Sequence, residues 1–355
     1  MTTTTTAQSA RPLGSTGTHV VPIALGAMLM GTRTPEPEAR LILDHYVGEV
    51  APRFAAPDGT PARAMIDTAD CYCWWEAPGD EGGHSEALLG RWMADAGARP
   101  SVHLATKGSA RVAGFERAFT ARGEADWEYA RANFVGASAA VLERSLEASL
   151  ARLSVDSIDL YYVHVDDRST PLEETLEWLA GAVGDGRIGA YGYSNVRTWR
   201  LARIRALCEA NGWPQPAALQ QQHSYLRGRA GLRHGSIVGD EQLDYLDAHP
   251  DLQLVAYSPV LKGLFSARER RDQFWAMEPY EGPDALARLA AVDRVAAQTG
   301  GTGNQVVLAW MLAQASPQVL PLIGARTFDQ YLECIEALDV QLTPAQVEEL
   351  AAAGA

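Results

Sequence analysis

Short apolar runs recur along this chain, and stretches with helical spacing separate them. The runs are Ile23–Ala27, Met65–Asp67, Val102–Lys107, Ile158–Val163, Ile188–Tyr193, Ala217–Gln220, Leu252–Tyr257 and Val319–Ile323. Each reads as a buried strand, being short and apolar without a strict polar alternation. Between and after them, helical spacing covers Pro35–Val50, Ser85–Ala96, Gly136–Leu153, Pro171–Asp185, Thr198–Asn211, Asp240–His249, Ala285–Thr299, Asn304–Gln314 and Phe328–Leu338. Ser85 is expected to cap its helix. In front lies PLGSTGTHVVPIALG, where Gly14 and Gly17 flank a turn and an N-terminal hairpin is expected. Strand followed by helix throughout, with a hairpin ahead, predicts the α/β class: a (β/α)8 (TIM) barrel with an N-terminal β-hairpin. No repeat or linker divides the chain. The expected organisation is a disordered tail over residues 1–10 and one barrel domain over residues 11–355.

Composition excludes several classes of function. The chain has 355 residues, 47% of them hydrophobic, which is enough for a large core. Its net charge of -14 repels a phosphate backbone, so nucleic acid is excluded as a partner. No window is long and apolar enough for a membrane span, and Met1 with its five threonines lacks the apolar region of a secretory signal. Of the four cysteines only Cys71 and Cys73 are close. A Cys-x-Cys without histidine partners does not make a metal site, so no metal is expected, and reduced thiols predict a cytoplasmic protein.

Three of the expected strands end in chemistry. Asp67 closes one, Lys107 another, His164 follows a third, and Tyr72 lies in the loop after Asp67. In a barrel these ends converge on one mouth, the face where such folds carry their sites. A phenol is a poor acid at neutral pH, and an adjacent ammonium lowers its pKa by favouring the phenolate. A buried lysine in turn needs a carboxylate, a task for Asp67, and His164 can donate to a substrate oxygen. The quartet suits proton transfer at a carbonyl or alcohol oxygen, with hydride transfer from a nicotinamide as the partner reaction.

These residues carry a resemblance. From about Arg11 to Leu350 the chain resembles an aldo-keto reductase, through LGSTG, LGAM, IDTADCY with SEALLGRW, LATK, SLEASLARLSVDSIDLYYVH, GRIGAYGYSN, ALQ, VAYSP and PLIGARTFDQYLECIEALD. The resemblance implies Tyr72 as general acid, tuned by Lys107 with Asp67, and His164 orienting the carbonyl. It implies NADP(H) as the preferred cofactor, with NAD(H) as the alternative. Gly26 and Met28 of LGAM join the cofactor set, Ser194, Asn195 and Gln220 match contacts to the nicotinamide amide, and Tyr257 matches the aromatic stacked on its ring. Ser258, Leu261 and Gly263 would line the pyrophosphate, and Pro259 joins the cofactor set. Gly324, Arg326, Gln330 and Glu333 match the adenosine end, where the helix beginning at Phe328 would present its N-terminus to phosphate.

The chain departs from the family pattern in three places. Cys334 stands where the family has Asn, Cys73 where Gly commonly follows the tyrosine, and the segments Cys73–His84 and Gly108–Asn133 are longer than usual. In the latter, Phe115, Phe119, Trp127 and Tyr129 sit in a segment expected to be irregular.

Other features read as structure. Gly184-Asp-Gly186-Arg-Ile-Gly189 follows a helix and leads into a strand, the reverse of a dinucleotide fingerprint, and is read as a helix C-terminal turn. Asp166 and Asp167, and Arg227, Arg229 and Arg233, read as loop charges. Trp74 and Trp75, directly after the expected acid, read as a flat apolar wall for substrate. Arg326 suits the 2′-phosphate of NADP.

The expected function is reduction of an aldehyde or ketone, such as a sugar or other polyhydroxy carbonyl, to an alcohol. The partner is thus a small carbonyl or alcohol. The alternatives are an NAD-dependent sugar or alcohol dehydrogenase working oxidatively, and a nucleotide-binding regulatory subunit with little turnover.

Overall fold

Strand Val102–Gly108 is buried at every position, as a parallel strand covered on both faces requires. It is one of the eight parallel strands that close a barrel in the computed structural model, which describes residues 8–273 and 277–354. In chain order they are β1 (Ala24–Gly26), β2 (Ala64–Asp67), β3 (Val102–Gly108), β4 (Ile158–Val163), β5 (Ile188–Ser194), β6 (Ala218–Gln222), β7 (Gln253–Tyr257) and β8 (Val319–Ile323). Each pairs with its successor, and β8 closes on β1 through Leu322↔Ala24 and Ile323↔Leu25. The (β/α)8 expectation is met.

Inside the barrel, Ala24, Met65, Ala105, Leu160, Tyr162, Ala218, Val255 and Leu320 pack against one another. Leu13 and Val20, carried by the expected hairpin (Arg11–Pro12 with His19–Val20), join the same cluster and so close one end of the barrel. Gly14 allows this closure: it has φ +50, and a Cβ there would lie 2.1 Å from the Ala217 carbonyl oxygen. The larger core lies between the strands and the outer helices.

Those helices are α1 (Glu36–His45), α2 (His84–Ala96), α3 (Trp127–Ala132), α4 (Ala139–Leu153), α5 (Leu172–Gly184), α6 (Thr198–Asn211), α7 (Asp240–Asp247), α8 (Pro283–Thr299), α9 (Gly303–Leu312), α10 (Phe328–Ile335) and α11 (Pro344–Ala352). The Gly184–Gly189 stretch is the turn it was read as: α5 ends at Gly184, and Gly186 has φ +73.

Local corrections follow from capping and long-range bonding. Ser85 does not cap α2. The helix starts at His84 with Gly83 at the cap, and the Ser85 hydroxyl donates to the Ala27 carbonyl at 2.7 Å. The stretch Pro35–Val50 divides into α1 and a wider turn over Tyr46–Val50. The long segment after β3 holds α3, capped by Asp126, whose carboxylate accepts from the Glu128 and Tyr129 amides. The last helix, α11, was not expected, although Thr343 and Gln346 form a capping box at its start. Of the expected tail, residues 1–7 lie outside the described residues, while Gln8–Ser9 pairs with Phe54–Ala55. Among the described residues no helix is long and apolar enough to cross a membrane, and none of their His, Cys, Asp or Glu side chains form a group fit to hold a metal.

Candidate active site

Strand register sets the site. Asp67, the last residue of β2, lies opposite Ala105 of β3, and Lys107 of β3 lies opposite Tyr162 of β4. His164 follows β4 directly, its amide donating to the Gly108 carbonyl at 2.9 Å. The loop after β2 is held to β3 by backbone bonds from Thr68 to Ala105 (2.9 Å) and from Asp70 to Lys107 (3.1 Å), and these return Tyr72 over the mouth. The four groups singled out in the sequence therefore meet.

Their contacts form one network. The Lys107 ammonium is fully buried and donates to the Asp67 carboxylate, to the Thr68 carbonyl at 2.7 Å and to the Tyr72 hydroxyl at 2.9 Å. An ammonium has three protons to donate, and all three have acceptors. The second Asp67 oxygen accepts from Gln220 Nε2 at 2.8 Å. That bond was not foreseen: Gln220 matched a nicotinamide contact, yet its amide nitrogen supports the carboxylate. The Tyr72 and His164 rings meet edge to face with centroids 5.8 Å apart.

The charge states follow from burial. Desolvation raises the Asp67 pKa, with Lys107 and Gln220 acting in the opposite direction. Desolvation, then Asp67, hold the Tyr72 phenol well above its usual value. The lowering expected from Lys107 does not set the net direction: in the free site burial and the neighbouring carboxylate hold the value up, so Tyr72 rests as a protonated acid. Desolvation, then the Lys107 charge, push His164 well below the usual imidazole value, leaving it neutral.

Around this core stand the residues expected at a cofactor. Asn195 donates to the His164 carbonyl at 2.8 Å and accepts from the Tyr257 hydroxyl at 2.9 Å, which joins the ends of β5 and β7 to the quartet. Ser194 is buried at the end of β5, Gly26 ends β1 opposite Asp67, and Met28 just beyond is exposed. After β7, on either side of Pro259, the backbone takes positive φ at Ser258, Leu261, Lys262 and Gly263, the kind of conformation found in anion-receiving turns. Desolvation lowers the Lys262 pKa, and the charges of Arg326 and Arg33 add to the effect, so three cations gather on this side. Arg33 was not singled out in the sequence, because only the fold brings it near the segment after β8.

In the segment expected to hold the adenosine end, Gly324, Arg326 and Gln330 are exposed, and the Gln330 side-chain oxygen accepts from the Arg326 amide at 3.0 Å. Glu333 accepts from Ser266 (2.6 Å) and Asn304 (3.1 Å), while Cys334 is buried. The amide at the start of α10, expected to face phosphate, donates to Glu38 of α1 instead.

The two long segments pack together. Trp74 is buried and lies 6.1 Å from Trp75, 5.2 Å from Trp127 and 5.8 Å from Phe119, centroid to centroid. Trp75 lies 5.6 Å from Trp127 and 6.2 Å from the Tyr72 ring. A wall of indoles thus adjoins the phenol. Trp127, in a segment read as irregular, belongs to it. Asp166 and Asp167 are not solvated loop charges but hold the loop together: Asp166 pairs with Arg200 and Arg168, and Asp167 accepts from Ala137, Ser169 and Thr170. Arg229 pairs with Glu278, and Arg227 and Arg233 are exposed.

The sequence was compared with known proteins. Residues 22–355 match the model of the Aldo/keto reductase family. The chain is similar to an uncharacterised oxidoreductase, YrpG, of Bacillus subtilis (strain 168), 29% identical over 93% of this chain and 91% of that one. It is also similar to the norsolorinic acid reductase stcV of Emericella nidulans, 29% identical over 94% of this chain and 78% of that one. A third relative, the aldo-keto reductase ausK of the same fungus, is 26% identical over 95% and 79%. With the closed barrel and this match over nearly its whole length, the chain belongs to the aldo/keto reductase family.

Proposed function

We propose that this protein is an NADP(H)-preferring reductase of aldehydes or ketones, with Tyr72 as general acid. The observation that carries the reading is the Lys107 ammonium bridging the Asp67 carboxylate and the Tyr72 hydroxyl. Because the phenol oxygen accepts from Lys107 at 2.9 Å, its own hydrogen is left for a substrate oxygen. As that proton leaves, the ammonium already in place meets the phenolate charge, while Asp67 and Gln220 hold the ammonium. Neutral His164 donates a ring N–H to the same substrate oxygen and fixes its orientation.

When bound, the nicotinamide supplies the hydride. Ser194, Asn195 and Tyr257 would hold its amide and ring, the backbone of Ser258–Gly263 the pyrophosphate, and Arg326 the 2′-phosphate, with Gly26, Met28, Gly324, Gln330 and Glu333 around them. The indoles of Trp75 and Trp127, tilted 41° to each other, present aromatic surface beside the acid, suited to packing a ring-bearing carbonyl. The similarity to a protein that bears the name norsolorinic acid reductase supports carbonyl reduction.

The test is a carbonyl panel of aromatic aldehydes, aromatic ketones and aldoses, run with NADPH and with NADH. Turnover that prefers NADPH, with Arg326→Ala reducing that preference about tenfold, is expected. No turnover of any carbonyl with either cofactor would reject the reading, and equal use of NADH would reject the role of Arg326.

A further inference from the structure

Cys73 follows Tyr72 directly and sits in the left-handed region, at φ +79 and ψ 4. Glycine takes that conformation freely, whereas a side chain is disfavoured there. The residue nevertheless carries a fully buried side chain with two partners. Its thiol donates to the Met28 carbonyl at 3.2 Å and lies 3.2 Å from the Thr32 hydroxyl. Burial holds the thiol protonated, with its pKa raised to about 11, so the hydrogen needed for the Met28 bond is present.

These contacts span two parts of the site. On one side, the turn Trp74–Glu76 begins at Cys73, and the Glu76 amide donates back to the Cys73 carbonyl at 3.1 Å. The Glu76 carboxylate pairs with Arg33 at 2.9 Å, a second tie to the same loop. On the other side, the loop from Ala27 to Thr34 reaches the segment after β8, where the Thr34 hydroxyl donates to the Ala325 carbonyl at 3.1 Å. A line of bonds thus runs from the segment around Arg326 to Thr34, then through the Leu29 carbonyl, which accepts from both Thr34 and Thr32, to Cys73 and the indoles beside Tyr72.

We infer that Cys73 is a positioning residue whose thiol ties the indole wall Trp74–Trp75 to the loop Met28–Thr34, and so sets the position of the substrate-facing wall against the cofactor side. The inference rests on the reductase reading for what the wall receives, but not for the tie itself. A side chain that merely filled space would need neither a donor hydrogen nor an acceptor at 3.2 Å.

The experiment compares Cys73→Gly, Cys73→Ala and Cys73→Ser with the wild-type enzyme. Readouts are melting temperature, the tryptophan bands of the near-ultraviolet circular dichroism spectrum, NADPH affinity by fluorescence titration, and KM and kcat for naphthaldehyde. Cys73→Gly relieves the backbone and removes the tie. It is expected to melt no lower than wild type, to lose intensity in the tryptophan bands, and to raise KM about fivefold, the scale of one lost hydrogen bond, while kcat is retained. Cys73→Ser keeps a donor and is expected to retain the bands and a KM within about twofold of wild type. Wild-type bands and KM in Cys73→Gly, or a serine variant no better than the alanine one, would overturn the proposal. If Cys73→Gly does not fold, the serine and alanine variants decide on the same readouts. If the wild type turns over no carbonyl, the reductase reading fails, while the tryptophan bands still decide for or against the tie.

Discussion

Lys107 is where the site is most exposed to a single change. Its ammonium is buried, and the Asp67 carboxylate beside it is 1% exposed. Removing one partner of such a pair leaves the other charge without compensation. Lys107→Met is therefore expected to destabilise the fold by about 3–5 kcal/mol, read from denaturant unfolding, in addition to any loss of turnover. A variant as stable as wild type would show that Asp67 finds another partner.

A second buried acid, Asp70, lies two residues before Tyr72, outside the proposed proton path. Its pKa is raised to about 7, first by desolvation and then by Glu86, with Arg111 and Arg152 opposing. Because the folded state holds this proton more tightly than the unfolded chain does, ionisation of the group adds no cost below the ordinary value of 3.8 and weakens the fold increasingly as pH rises toward about 7. Asp70→Asn is expected to flatten that decline, so its stability advantage over wild type should grow between pH 4 and 7, about the interval between the two pKa values, and then level off. An advantage independent of pH would contradict it.

At this scale the sequence made the identity of the quartet legible, because each member ends or follows an apolar run. It did not show the bond from Gln220 to Asp67, or the gathering of Arg33 near Lys262 and Arg326. Both depend on strands far apart in sequence becoming neighbours across the barrel.

Among elements, strands and outer helices were legible where burial dictates composition. The run Val102–Gly108 is apolar because both faces are covered, and α4 and α5 show their helical spacing because one face packs on the barrel. The misreadings lie at ends and in loops, where single hydrogen bonds decide. Ser85 bonds to Ala27 rather than to its own helix, and α3 is too short to show a period. That short helix depends on its cap. Asp126 accepts from two of its amides, so Asp126→Ala is expected to cost about 1 kcal/mol locally and to release Trp127 from the wall. Faster amide exchange across Trp127–Ala132, with the barrel strands unchanged, is the expected signature. Protection equal to wild type would mean that the aromatic contacts alone hold the segment.

Over the whole molecule, the barrel is what makes four distant residues one site. Asp67 and Tyr72, Lys107 and His164 come from successive strand ends, and closure by β8 on β1 brings the segment after β8 beside the loop after β1, where Thr34 bonds the Ala325 carbonyl. The hairpin closes the opposite end, so one face is left for chemistry. The net charge of -14 makes the gathering of Arg33, Lys262 and Arg326 a local exception on an otherwise acidic protein. Everything in this arrangement converges on a protonated Tyr72 beside an ammonium. The most direct measurement is NADPH consumption with a reactive aromatic aldehyde by wild type and by Tyr72→Phe, the two matched for NADPH affinity and melting temperature. Loss of about 10²- to 10⁴-fold in kcat is the expected result, and turnover equal to wild type would contradict Tyr72 as the acid.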